Sequence, residues 1–288
     1  MSAVLAPAAD SRALIGPKVV LMGLGGTGKT YSLGTLCDWA VANGFEVALL
    51  FTENGLETLL GYFRDKGKEP PPGIYWHQQG TKPISLKNLV KAADLVGRLS
   101  YEALAKSIDV DRGGENNAFW KILTSCSDFK DDRTGKTLGP VDLFPLKRIF
   151  AMDSLTETSN AAFKMQIGSR PMASPGDYGI AQNNLMNFLR LLTQGCECPF
   201  VMTAHVDRET DAVTQTTKIM IKAIGKALAT EIPTLFSDVI YAVREGNKFT
   251  WDTAAYGVDV KTRSLGYRAG IEPNFAQIFD VWKKRSGL

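Results

Sequence analysis

The chain has 288 residues, 44% of them hydrophobic and 22% charged, which is enough apolar material for one large domain or two small ones. With 33 Lys and Arg against 30 Asp and Glu, a net charge of +3 excludes strongly basic and strongly acidic classes, so only local clustering of charge can argue for nucleic acid. No basic segment precedes an early apolar one and no apolar run reaches bilayer length, so the expectation is a soluble, cytoplasmic protein without a membrane partner.

Residues 1–17 are rich in Ala and Pro and read as a flexible lead-in. The apolar run 18–22 reads as a buried strand, followed at once by a glycine-rich loop and a helix over 31–43 that Gly44 ends. Residues 46–52 form the next strand, completing a βαβ unit whose crossover should be right-handed. A short strand is expected at 74–77, helices at 85–101 and 116–129, and an exposed loop at 130–139; residues 95–145 read as a variable insertion. Residues 147–152 are a strand ending in Asp153. The segment 164–179 holds Gly and Pro without periodicity and is expected to be a long mobile loop, with Asp177 capping a helix over 178–194. A strand at 199–204 ends at His205, and 207–226 is a second expected mobile loop. Strands at 238–244, 249–252 and 257–261 follow, the first two joined at Gly246-Asn247. Together these elements predict a single α/β domain over 18–288, with a mostly parallel central sheet flanked by helices and antiparallel hairpin strands near the C-terminus. The four cysteines, Cys37, Cys126, Cys196 and Cys198, lack the spacing of a disulfide framework or a zinc site and read as reduced thiols.

The loop 23–30 reads Gly-Leu-Gly-Gly-Thr-Gly-Lys-Thr, the pattern GxxxxGKT. Its glycines, Gly23, Gly25, Gly26 and Gly28, let backbone N–H groups turn inward around phosphate oxygens, and Thr27 and Tyr31 lie in the same cradle. Lys29 is placed to reach the β- and γ-phosphates and Thr30 to ligate magnesium, so the cofactors expected are ATP and Mg2+. Asp153, at the end of the strand RIFAMD, is the expected second holder of Mg2+. Glu53 closes the strand at 46–52 and is the favoured general base, with Glu157 the alternative. His205 ends the strand PFVMTA, where a polar side chain can sense the γ-phosphate.

These motifs, in the order phosphate loop, FTENGLETLLGYF, FAMDSLTE and VMTAH, resemble the RecA/Rad recombinase core. More closely, with GKALATEIPTLFSDVIYAV, VDVKTRS and IEPNF, the chain is similar to phage-encoded RecA-like P-loop NTPases that include single-strand annealing proteins of the Sak type. The resemblance implies a RecA-like fold, catalytic roles for Lys29, Glu53, Asp153 and His205, and an ATPase stimulated by DNA. His205 stands where bacterial recombinases usually carry Gln. Lys261 and Arg263 match a Lys-x-Arg finger that one subunit inserts into its neighbour's site, implying a homo-oligomer, ring or filament. The loops 164–179 and 207–226 correspond to the DNA-facing loops. Lys164, Arg170, Arg208, Lys218, Lys222 and Lys226 are the candidate contacts to single-stranded DNA, the last three sharing one face if helical. The implied role is phage DNA recombination or annealing in the bacterial host cytoplasm, with a single-strand-binding protein as a further partner. A helicase or loader motor and a non-motor ATP-dependent switch or scaffold are the alternatives.

Overall fold

The structure, a computed structural model, describes residues 14–79, 117–168, 173–210 and 216–288, together with the helical positions Leu86, Val90, Asp94 and Gly97. Residues 1–13, Arg170 and the greater part of the expected helix at 85–101 lie outside the described residues.

Elements are numbered in chain order. β1 (Lys18–Gly23) leads into α1 (Lys29–Ala42), β2 (Glu46–Phe51), α2 (Leu56–Asp65) and β3 (Ile74–Gln78). Then come α3 (Ala118–Ser127), β4 (Phe129–Lys130), β5 (Thr137–Gly139), β6 (Arg148–Asp153), α4 (Leu155–Ile167) and α5 (Pro175–Arg190). β7 (Phe200–Ala204), β8 (Val206–Thr210), β9 (Thr217–Ile221), α6 (Lys226–Leu235), β10 (Asp238–Glu245), β11 (Lys248–Asp252) and α7 (Ala276–Ser286) follow among the described residues.

Seven strands form the main sheet in the order β11-β10-β1-β7-β6-β2-β3. All neighbours pair parallel except β10 with β11, which run antiparallel across the Gly246-Asn247 turn. Successive residues of the inner strands enter opposite cores: Val20 and Met22 face one, Val19 and Leu21 the other. Being buried on both faces is why these strands read as unbroken apolar runs. α1, α2 and α7 cover one face through Leu33, Trp39, Phe63 and Phe279; α3 to α6 cover the other through Phe119, Ala162, Leu185 and Ile232. The expected α/β architecture with a late antiparallel hairpin is therefore present.

Several local expectations are corrected. Residues 14–17 of the lead-in are fastened to the body: Gly16 N–H donates to Glu197 O at 2.9 Å, and Phe200 N–H donates to Pro17 O at 2.9 Å. The stretch 130–139 is exposed over 132–137, as expected, but its ends pair as β4 and β5 in a small hairpin. The buried Asp131 anchors it, its carboxylate accepting from the backbone N–H of Trp76 and of Thr134, both at 2.9 Å. Most of 164–179 is helical, since α4 runs to Ile167 and α5 starts at Pro175. Ser174, not Asp177, caps α5, with Asp177 answering from the third helical position in a capping box. β8 and β9 make the supposed loop at 207–226 an antiparallel hairpin, leading into α6. Residues 257–261 do not form a strand: Val258 bridges to Ile219 and Lys261 to Val239, and a tight turn between them spends the N–H of Val260 on Val258 O. α7, which the sequence reading leaves unassigned, packs Phe279 on Trp39 with ring centroids 5.0 Å apart.

Candidate nucleotide site

β1 delivers the glycine loop to the carboxyl edge of the sheet, where parallel α/β folds place their ligands. A Cβ on Gly23 would stand 2.6 Å from Ala242 O and 2.8 Å from Thr27 Oγ1, so only glycine lets β1 turn there against β10. Gly26 and Gly28 have φ of 72° and 81°, left-handed values that glycine alone adopts freely. Gly25 differs: a side chain there would meet nothing within 4 Å, so the loop's own packing does not require it. Thr27 Oγ1 donates to Leu24 O at 2.8 Å and braces the turn.

Lys29 opens α1, whose N-terminus has no side-chain cap, so its first N–H groups are left for a ligand. The Lys29 ammonium is buried and donates to Gly23 O at 2.9 Å and Leu24 O at 2.8 Å. Burial lowers its pKa to about 8, against the opposing pull of Asp153 and Glu53. Tyr31 lines the cleft, with its hydroxyl donating to Asp65 Oδ2 at 3.1 Å.

Asp153, at the end of β6, is 2% exposed. Thr30 Oγ1 donates to its Oδ2 at 2.8 Å, and Thr203 of β7 donates to its Oδ1. Burial holds the carboxyl above the usual range, while Thr203 and Thr30 oppose that rise. The Asp153–Ser154 peptide is cis, and Thr52 ties it down by accepting from Ser154 N–H at 2.9 Å. A buried carboxylate beside a hydroxyl is a hard-oxygen donor pair that suits Mg2+, which takes its remaining ligands from phosphate and water. Among the described residues no group of three or more His, Cys, Asp or Glu could hold a metal.

Glu53 follows β2, and its Oε2 lies 3.7 Å from Nε2 of His205, which follows β7. His205, then Ser154 and Lys29, hold the Glu53 carboxyl below its ordinary range, outweighing burial. Glu53 and His205 both line the cleft, of about 660 Å3. Glu157 does not: it sits in the first turn of α4 and accepts from Asn160 at 3.2 Å. The wall comprises Gly26 to Thr30, Glu53 and His205, together with Thr35, Phe249, Glu272 and Pro273. A sequence reading misses these last four and also Thr203 and Gly55. Phe249 lies over Gly28, whose Cβ would come within 3.1 Å of its ring. A Cβ on Gly55 would stand 2.5 Å from Asp153 Oδ2.

Lys261 and Arg263 are not at this cleft. Val239, which bridges to Lys261, is second in β10 and pairs with Val20 near the start of β1, so the Lys261–Arg263 turn lies at the opposite edge of the sheet. Lys261 Nζ donates to Thr234 O at 3.2 Å. Arg263 lines a cavity of about 880 Å3 there, with Asp238, Trp282 and Arg285.

The expected stripe of Lys218, Lys222 and Lys226 does not form, because Lys218 is on β9, Lys222 follows it and Lys226 begins α6. Each is also paired with an acid: Lys218 with Asp259 at 3.0 Å, Lys222 with Asp207 at 3.8 Å, and Lys226 with Glu209. Arg208 is exposed on β8 and Lys164 on the last turn of α4. All four cysteines are free and buried. Among the described residues no helix is long and apolar enough to cross a membrane.

No family model matches the chain, and no curated protein does. Among solved structures it is similar to one described as a prototypical ATPase from the type III secretion system of pathogenic bacteria, at 16% identity and a TM-score of 0.37. The match covers 80% of this chain and 53% of that one, so the chain spans about half the neighbour's length.

Proposed function

We propose that the protein binds ATP with Mg2+ and hydrolyses it. One observation carries this reading: Lys29 and Thr30 at the start of α1 meet Glu53, Asp153 and His205, from three separate strand ends, around one glycine loop. In the proposed reaction the loop amides and Lys29 bind the β- and γ-phosphates, while Thr30 and Asp153 hold the cation, which offsets charge on the transferring phosphoryl group. Glu53, kept ionised by its neighbours, orients water for in-line attack, and His205 reports loss of the γ-phosphate to the β8–β9 hairpin that follows it. Lys29→Ala is expected to lower affinity for ATP with Mg2+ at least a hundredfold by calorimetry; unchanged affinity would remove the basis of the reading.

The narrower proposal is a RecA-like ATPase of phage DNA recombination or annealing, assembled head to tail on single-stranded DNA. It rests on the motif resemblance and on the remoteness of the Lys261–Arg263 turn from its own phosphate loop, which suits a finger acting on a neighbour. Turnover measured with and without single-stranded DNA tests it. Stimulation together with pairing of complementary strands supports annealing, stimulation with unwinding of a forked duplex selects a motor, and indifference to DNA selects a switch or scaffold.

A further inference from the structure

The two oxygens of Asp153 keep different company. Oδ2 faces the Thr30 hydroxyl at 2.8 Å, on the side of the phosphate loop. Oδ1 accepts from the hydroxyl of Thr203, which is wholly buried within β7. The rest of that strand, Phe200, Val201, Met202 and Ala204, is apolar. A hydroxyl in a core strand costs stability unless it is bonded, and this one is spent on the carboxylate. The pairing of β6 with β7 runs to Met152 opposite Met202, so Asp153 and Thr203 occupy the next rung. Thr203 is also two residues before His205, on the same face of the strand.

We propose that Thr203 is a positioning residue for the metal. With Oδ1 held from β7, rotation of the carboxylate about its last bond is blocked and Oδ2 stays aimed at Thr30 and the cation. A carboxylate without that restraint can turn both oxygens away from the loop, and partners of this outer kind are worth about 10- to 100-fold in metal affinity. The inference rests on the reading of Asp153 as a cation holder, and its test separates the two.

The test is a titration of Mn2+ into protein saturated with ADP, with free Mn2+ read by electron paramagnetic resonance, and ADP affinity measured in parallel in EDTA. Thr203→Val keeps the shape and removes the donor; Thr203→Ser keeps the donor and removes the methyl. Thr203→Val should weaken Mn2+ binding about 10- to 100-fold and leave metal-free ADP affinity unchanged, while Thr203→Ser should stay within about threefold of wild type. Should valine prevent folding, Thr203→Ala replaces it with the same expectation. Wild-type Mn2+ affinity in folded Thr203→Val or Thr203→Ala, or an equal loss in Thr203→Ser, would overturn the proposal. Asp153→Asn is the control: if it too leaves Mn2+ affinity unchanged, the reading of Asp153 fails first.

Discussion

Lys29 carries an electrostatic conflict that makes it testable by pH. Its ammonium is buried, and its pKa is lowered from 10.5 to about 8. In the empty site the charge is therefore lost as pH rises through about 8, and a bound triphosphate has to restore it. ATP affinity should be full below that value and fall about tenfold per pH unit above it, up to the ordinary lysine range. Folding responds in the opposite sense. Between the two pKa values the unfolded chain binds the extra proton, so this group's penalty on stability shrinks as pH rises through that window. Affinity titrated across that window checks the first statement; a flat profile would contradict it. A second residue-scale prediction concerns Gly55. A methyl there would stand 2.5 Å from Asp153 Oδ2 and 2.8 Å from Phe51 Cδ1, so Gly55→Ala has to displace the carboxylate or the ring. The Mg2+ needed for half-maximal turnover should rise about tenfold, with ADP binding in EDTA unchanged.

Among the elements, the turn carrying Lys261 and Arg263 is held from one point. Asp238, wholly buried at the start of β10, accepts from Thr262 Oγ1 at 2.8 Å, Arg263 N–H at 2.9 Å and Ser264 N–H at 3.0 Å. Asp238→Ala strands two backbone donors and removes charge-assisted bonds, a cost of about 3 kcal/mol. Chemical denaturation should register that loss, and turnover should fall while ATP binding holds. The β8–β9 hairpin shows how pairing overrides composition. Its polar residues read as loop, yet Val206 to Thr210 pair in register with Ile221 to Thr217, and Asp207 and Glu209 of β8 pair with Lys222 after β9 and Lys226 of α6. A DNA-binding stripe inferred from i, i+4 spacing fails there because the period belongs to a helix, whereas Lys218 is on a strand, Lys222 follows it and Lys226 begins the next helix.

At the scale of the molecule, the phosphate loop and the Lys261–Arg263 turn stand at opposite edges of one sheet. Val19 pairs with Asp238 at the starting edge, and four residues on, about 13 Å along the strand, Gly23 opens the loop. Arg263 cannot span that distance to its own cleft, so any contribution it makes to hydrolysis comes from another copy. Arg263→Ala and Glu53→Gln should each suppress turnover alone, and a mixture of the two should recover part of it, because some interfaces then join an intact finger to an intact base. Mixtures that never exceed the separate activities would count against the trans arrangement.

The seven strands of the main sheet, the glycine loop and the strand-end positions of Glu53, Asp153 and His205 are fixed by local sequence. They follow from short-range rules, namely apolar runs for doubly buried strands, glycine for left-handed backbone, and polar residues where strands leave the core. Only tertiary structure decides which strand ends become neighbours. The order β1-β7-β6-β2 places Thr203 beside Asp153, and Glu53 3.7 Å from His205, which stands 152 positions further along the chain. It also brings Phe249 over Gly28 and pairs each lysine of the supposed DNA stripe with an acid. No local pattern encodes these contacts, because each depends on the register between segments that meet only when both faces of the sheet are buried.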